Sequence, residues 1–244
     1  MDFTPEIKKT LLPAGKLRAA INYGNIVLAQ KNESTGEPQG VSVALARELA
    51  ARLGVQLEFV EFNGAGKVFA EAKNNVWDIG FLAIDPVRAE EVLFTPPYVV
   101  IEGSYLVNKN GKFDSIDDID APGVQVAVGR GAAYDLFLTR ELKKAEIVRA
   151  DTSEAAVDLF LEGKLDAAAG VRQPLEKAAA AHPELKVLPG SFTNIRQAMI
   201  TPKKNHLALE YLGQFIEELK ASGFIAHELE KSGQDSAIIA APAG

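Results

Sequence analysis

The sequence predicts an α/β protein of two lobes, each a mostly parallel sheet covered by helices. Three observations carry this prediction. Apolar, β-rich runs alternate with segments of helical period; the alternation breaks at a polar stretch, Asn108 to Pro122, and then restarts; and two long extended runs, near residues 98–107 and 191–200, are placed to join two such units. Parallel neighbours need a helix-length crossover, so strict alternation reads as a parallel sheet.

In chain order, Leu17 to Ile21 and Val55 to Phe62 read as strands. Between them Val43, Leu45, Ala46, Leu49, Ala50 and Leu53 recur at helical spacing and stop at Gly54. A helical segment around Lys67 to Lys73 leads to the apolar run Trp77 to Ala83, then to a short helical turn over Pro86 to Val92 and an extended run from Tyr98 to Val107.

After the polar break, Val124 to Val128 reads as a strand, Ala132 to Leu142 as a helix and Glu146 to Arg149 as a strand. Asp151-Thr-Ser-Glu154 is an N-cap signature for a helix over Ala155 to Leu161, because a side-chain oxygen there can accept an otherwise unpaired first-turn N–H. Leu165 to Ala169 and Leu185 to Leu188 extend the sheet. Asn194 to Ile200 is extended again, and Ala208, Tyr211, Leu212, Phe215, Ile216 and Leu219 make one apolar face of a helix that stops at Gly223. Residues 1–103 and 196–244 are assigned to the first lobe and residues 104–195 to the second. Between two such lobes a cleft is expected, at the carboxyl ends of strands.

Composition narrows the function. The chain has 244 residues, of which 47% are hydrophobic, enough to bury ordinary cores. A net charge of −7 with no run of Lys and Arg argues against nucleic acid as a partner and leaves small solutes. The absence of cysteine excludes disulfides, thiolate metal sites and cysteine nucleophiles together. No stretch approaches the ~18 consecutive apolar residues of a membrane span. The start MDFTPEIKKTLLPAG lacks the apolar core of a secretory signal, so the chain is read as a processed form or as one that is not exported.

Few residues can do covalent chemistry. His182, His206 and His227 stand apart with no HExxH spacing, and Ser42, Ser104 and Ser191 lie outside any GxSxG motif. Neither a metal nor a cofactor is expected. Gly129-Arg-Gly131-Ala-Ala-Tyr134 follows a strand and opens a helix, a geometry that presents backbone N–H groups to an anion such as a carboxylate and that equally suits a plain tight turn. It lacks the residues of a nucleotide-binding loop. Arg88 stands three residues after Asp85, past an apolar strand ending near Ala83. Its guanidinium either holds a carboxylate through paired hydrogen bonds or makes a local ion pair with Asp85, Glu90 or Glu91.

Two motifs resolve these alternatives by resemblance. Gly40-Val-Ser-Val-Ala-Leu-Ala-Arg-Glu-Leu-Ala-Ala-Arg-Leu-Gly54 resembles G-F-D-V-D-L-A-x-x-L-A-x-x-L-G, and Ile84-Asp-Pro-Val-Arg-Ala-Glu-Glu-Val-Leu-Phe-Thr-Pro-Pro-Tyr98 resembles I-T-x-x-R-x-x-x-V-x-F-S-x-P-Y. Both belong to the polar-amino-acid-binding branch of the periplasmic solute-binding proteins, extracellular family 3 with the type 2 two-lobed fold. The resemblance covers roughly Gly15 to Ser232. It implies a substrate-binding protein of an ABC-type uptake system that closes its lobes on a small carboxylate or amino acid. A membrane permease is the implied partner, the protein is expected to be a monomer, and its implied place is the periplasm.

The resemblance assigns Arg88 to the ligand carboxylate and the loop Gly131, Ala132, Ala133 and Tyr134 to the rest of the carboxylate cage. Ala132 and Ala133 stand where relatives carry hydroxyls. Asn22, Tyr23 and Asn25 match ligand-touching positions, with ordinary turn chemistry as the alternative, and Ala83 is a further candidate. The aspartate that holds a ligand ammonium in relatives is replaced by Val171 or Arg172. The aromatic that often stacks on the ligand falls in Asn63-Gly-Ala-Gly66. Two ligands are therefore expected as alternatives: an amino acid whose ammonium meets Asp85 or Glu102, or an organic acid without an amine that uses Arg172 as a second anion contact. A cyclohexadienyl dehydratase, with Glu102 as its acid, and a ligand-sensing module are the competing functions.

Overall fold

The computed structural model describes residues 4–234 and 236–243. Met1–Phe3, Asp235 and Gly244, which the sequence assigns to the first lobe, lie outside the described residues. The chain has the α/β fold class expected. It divides into two compact units, the first drawn from Met1–Asn63, Lys67–Val100 and Arg196–Gly244, the second from Gly64–Gly66 and Ile101–Ile195.

The first unit opens with helix α1 (Pro5–Leu11), whose Thr4 side chain caps the Ile7 N–H. Strand β1 (Leu17–Asn22) follows, then the two-residue strands β2 (Gln30–Lys31) and β3 (Pro38–Gln39), which pair as a small hairpin absent from the sequence prediction. Helix α2 (Val41–Leu53) buries the predicted Val43, Leu45, Ala46, Leu49 and Ala50 face. It ends at Gly54, whose φ of 62° is the left-handed conformation that favours glycine. Strand β4 (Leu57–Phe62) pairs in parallel with β1, Leu17 opposite Leu57 and Asn22 opposite Phe62. Helix α3 (Ala65–Ala70) and strand β5 (Gly80–Ala83) come next.

Strand β5 is the element that positions the candidate site, and it is held from both sides. Ile79 bridges Ala19 of β1 in parallel, and just before it Asp78 accepts from the Arg18 backbone N–H at 2.9 Å and from its guanidinium at 2.7 Å. On the other side, residues 80–83 pair antiparallel with residues 197–200. One tight turn over Arg88–Glu90 then leads into β6 (Val92–Asn108), a 17-residue strand that runs out of the first unit into the second.

In the second unit, β7 (Gln125–Gly129) leads to α4 (Ala133–Glu141), β8 (Glu146–Ala150), α5 (Ser153–Leu161), β9 (Ala167–Val171), α6 (Arg172–Ala181) and β10 (Leu185–Val187). Strand β7 pairs in parallel with β8 and β9, as the alternation predicts. Thr152 caps α5 by accepting the Ala155 N–H at 3.0 Å. Leu106, Ala127, Phe160, Ala168 and Leu175 meet in this unit's core. Strand β11 (Thr193–Pro202) returns to the first unit, where α7 (Leu209–Ala221), α8 (Phe224–Lys231) and β12 (Ile238–Ile239) finish the chain.

Further details depart from the sequence expectation. The two linking strands are antiparallel to their neighbours: β6 to β9, β10 and β12, and β11 to β5. They enter each sheet by running across from the other unit, with no crossover helix to force a parallel direction. Helix α6 occupies residues to which the sequence reading gave no secondary structure, and β12 adds a further strand beside β6.

Asp120 gives the second unit a pH-dependent brace. Its carboxylate accepts the backbone N–H groups of Lys143, Lys144 and Ala145 at 2.7–3.1 Å, and those hydrogen bonds hold its pKa below the usual carboxylate range. A carboxylate depressed on folding stabilises above its unfolded pKa of about 3.9, and that contribution is lost as pH falls through the folded value. Asp120→Asn is expected to lower the urea midpoint at pH 7, and the gap to wild type should close progressively below pH ~4. A gap that is constant with pH would show that the carboxylate charge is irrelevant.

Candidate functional site

The carboxyl ends of β1, β4 and β5 lie along one edge of the first unit's parallel strands, and six sequence-predicted residues are found on the chain that leaves β1 and β5. Ala83 ends β5, and its carbonyl accepts from Arg88 Nη1 at 3.0 Å. The Arg88 side chain is 1% exposed. Burial lowers its pKa to about 10, with the Asp85 charge opposing, so it is a cation at neutral pH. Asp85 is buried too, and its Oδ1 accepts the Val87 N–H at 2.9 Å, which shapes the turn carrying Arg88. Cation and carboxylate therefore sit three residues apart on one buried turn. An exposed surface pair, the bland reading of this arginine, does not describe a guanidinium so thoroughly removed from water.

Asn22, Tyr23 and Asn25 leave the end of β1. Asn22 Oδ1 accepts the Gly24 N–H at 2.9 Å and Asn25 Oδ1 the Val27 N–H at 3.3 Å, so both side-chain oxygens are engaged in turn chemistry. Tyr23 is different. Its hydroxyl donates to Glu61 Oε1 at 3.1 Å, and it lines an open depression of about 310 Å³ with Lys31, Glu61, Phe62, Asn63 and Lys67. Burial first, and then the Glu61 charge, raise the Tyr23 phenol above its ordinary value and keep it a donor. Lys31 Nζ pairs with Glu61 Oε2 at 2.7 Å and lies 5.0 Å from the Tyr23 ring centre. Lys67 Nζ donates to Asn63 Oδ1 at 2.7 Å. Lys31, Glu61 and Lys67 were not singled out by sequence, and only the i,i+4 spacing of Asn63 and Lys67 signals any part of the arrangement.

The other six predicted residues belong to the second unit. Gly131, Ala132, Ala133 and Tyr134 make the turn from β7 into α4, with Ala132 at the N-cap. Gly131 takes a φ of 69°, a left-handed conformation that favours glycine, and its N–H donates to Asp135 Oδ2 at 2.8 Å. Arg149 Nε pairs with the same carboxylate at 3.0 Å. The helix thus supplies its own anion to one of the donors that the sequence reading assigned to a ligand. Asp135 in the first turn was the signal for this. The Tyr134 side chain turns inward, its hydroxyl donating to Ser153 Oγ at 2.8 Å and accepting from the Gly129 N–H at 3.3 Å, so its contribution to a ligand is confined to the backbone. Ala133 opens α4 as its first residue.

Glu102 and Arg172 hold each other. Glu102 lies on β6 and Arg172 opens α6; Arg172 Nε donates to Glu102 Oε2 at 2.6 Å, and the guanidinium also reaches the Gly190 carbonyl and, at 3.6 Å, Glu176. The two residues proposed for opposite ligand charges are each other's partner. Among the described residues, no group of three or more His, Cys, Asp or Glu could hold a metal ion.

Residues 18–234 match the bacterial extracellular solute-binding proteins, family 3, and the chain belongs to that family. A cyclohexadienyl dehydratase of Pseudomonas aeruginosa is 25% identical over 227 residues, 90% of this chain and 83% of that protein. A glutamine-binding protein of Geobacillus stearothermophilus is 25% identical over 184 residues, 73% of this chain and 70% of that one. A Wolinella succinogenes protein solved in complex with lysine superposes with a TM-score of 0.76 at 27% identity, covering 89% of this chain and 95% of that one. Among the described residues no helix is long and apolar enough to cross a membrane.

The ion pair in the second unit is half-shielded, with side chains 20% and 37% exposed, so its coupling is expected to be modest. A double-mutant cycle of Glu102→Gln and Arg172→Met, followed by urea unfolding, should give a coupling of ~0.5–1 kcal/mol. A cycle that sums to zero would mean the pair adds no stability.

Proposed function

We propose that this chain binds a free α-amino acid and delivers it to a membrane ABC permease, with no chemistry of its own. The observation that carries the proposal is the buried Arg88 beside Asp85 at the carboxyl end of β5. A cation and an anion on one turn match the two charges of a zwitterion, Arg88 taking the α-carboxylate through two parallel hydrogen bonds and Asp85 taking the α-ammonium. The family of the chain, a glutamine-binding relative and a lysine-bound structural neighbour support the same ligand class.

An amino acid is favoured over an amine-free organic acid because Arg172, the cation that a second anion contact required, is engaged by Glu102. That ion pair also weighs against the dehydratase alternative, whose acid would be Glu102, because this carboxylate is already engaged at 2.6 Å by the Arg172 guanidinium. Ala133, whose N–H opens α4, is proposed as a further ligand donor by the family resemblance. The division into lobes at residues 103–104 and 195–196, action as a monomer and a place outside the cytoplasm belong to the same proposal.

Calorimetry against a panel of amino acids tests it. Arg88→Ala is expected to weaken binding by ~3 kcal/mol or more, over a hundredfold, because the ligand carboxylate would be left desolvated without its partner. Arg88→Lys, which keeps the charge and loses the fork, should fall between, with thermal melting confirming that both variants fold. Unchanged affinity in a folded Arg88→Ala protein would remove the anchor. Ala133→Pro is the companion variant: proline suits the first position of a helix, and the substitution deletes only the N–H. A donor role predicts a loss of about tenfold, and no loss would remove Ala133 from the proposed ligand contacts.

A further inference from the structure

From the depression beside Tyr23 we infer that the ligand is an α-amino acid whose side chain ends in a carboxylate, with Lys67 as the residue that selects it. The inference rests on the proposed amino-acid site at Arg88 and assigns the far end of the same ligand.

Strand register places the depression. Asn22 stands opposite Phe62, and Ala19 opposite Ile79, so the parallel register carried forward three residues sets Leu82 beside Asn22. Strands β4, β1 and β5 are therefore neighbours in that order, with their carboxyl ends level. Two strand spacings, roughly 10 Å, separate the chain leaving Phe62 from the chain leaving Leu82. The first carries Asn63 and Lys67, and the second carries Asp85 and Arg88. An amino acid gripped by its backbone groups at the second can reach the first only with an extended side chain.

Charge decides what that side chain carries. The depression holds Lys31, Lys67 and Glu61, two positive groups and one negative, a balance of +1. Glu61 is already matched twice, by the Tyr23 hydroxyl at 3.1 Å and by Lys31 at 2.7 Å. Glu37 and Arg47, whose charges also reach the Tyr23 phenol, act on it with opposite signs. Lys67 donates to the neutral Asn63 carbonyl, and an ammonium carries three donors, so that contact uses one of them. An anionic terminus complements this arrangement, and a cationic one is repelled by both lysines. Phe62 offers an apolar surface for the methylene groups between the two ends.

Calorimetry on the full chain with L-glutamate, L-glutamine and L-lysine at one fixed salt concentration tests the inference. Glutamate is expected to bind about tenfold tighter than its uncharged near-isostere glutamine, with lysine weakest. Lys67→Met should remove most of that glutamate-to-glutamine ratio, and Lys67→Glu should invert the order of glutamate and lysine. Tighter binding of glutamine or lysine by the wild type, or a ratio untouched by Lys67→Met, overturns the inference while leaving the Arg88 anchor standing. Arg88→Ala separates the two claims: loss of all three ligands supports the anchor, and wild-type affinity in that variant overturns it whatever Lys67 does. Binding of none of the three by the wild type overturns the inference and leaves the Arg88 anchor to be decided by the wider amino-acid panel.

Discussion

A guanidinium removed from water is the constraint around which the first unit is organised. Taking a cation out of water costs several kcal/mol even after the protein relaxes around it, so a buried arginine persists only where fixed dipoles and counter-charges meet it. At Arg88 the end of β5 supplies the Ala83 carbonyl and the following turn supplies Asp85. Whatever holds β5 also holds the cation. The antiparallel pairing with β11, the bridge from Ile79 to Ala19 and the double engagement of Asp78 by Arg18 all fix the strand from which that turn departs.

The second unit treats its charges differently. Asp135 is met by the Gly131 N–H and by Arg149, Glu102 by Arg172, and Asp120 by three backbone N–H groups. These anions are satisfied by the unit's own donors, which makes them parts of its architecture. A zwitterion needs both signs in close proximity, and in the proposed site the buried Asp85 to Arg88 turn carries both.

What could be read in the sequence was local. The α2 face from Val43 to Ala50, its stop at Gly54 and the Thr152 cap of α5 are each set within a few residues by period or capping chemistry, and each appears as expected. Arg88 stood out because a permanent cation is conspicuous after an apolar strand. The direction of β6 and β11 was not legible, since it depends on which strand each meets after crossing from one unit to the other. Nor was the pairing of Glu102 with Arg172, 70 residues apart, or the meeting of Lys31 with Glu61, which follows from the β1 and β4 register and the hairpin of β2 with β3. Hydroxyl and amide candidates failed to separate for another reason: Asn22 and Asn25 suit turns and ligands equally well, and only the observed acceptors show that their oxygens serve the backbone.

The same logic explains why Asn63-Gly-Ala-Gly66 and Lys67 are best considered together. An aromatic ring stacked on a ligand recognises it through apolar area and dispersion, which discriminate weakly between charged and uncharged side chains of similar shape. Asn63-Gly-Ala-Gly66 offers little such area. In the proposed site Lys67, next along the chain, would contribute by a different force. Coulombic attraction in an open, solvated depression is weakened by water and by salt, so it contributes less affinity than a stacked ring but depends strongly on the sign of the ligand's charge. In the proposed site, then, affinity would reside in the buried Arg88 contact, where desolvation strengthens it, and selectivity in the exposed lysine, where the sign of the charge is what counts.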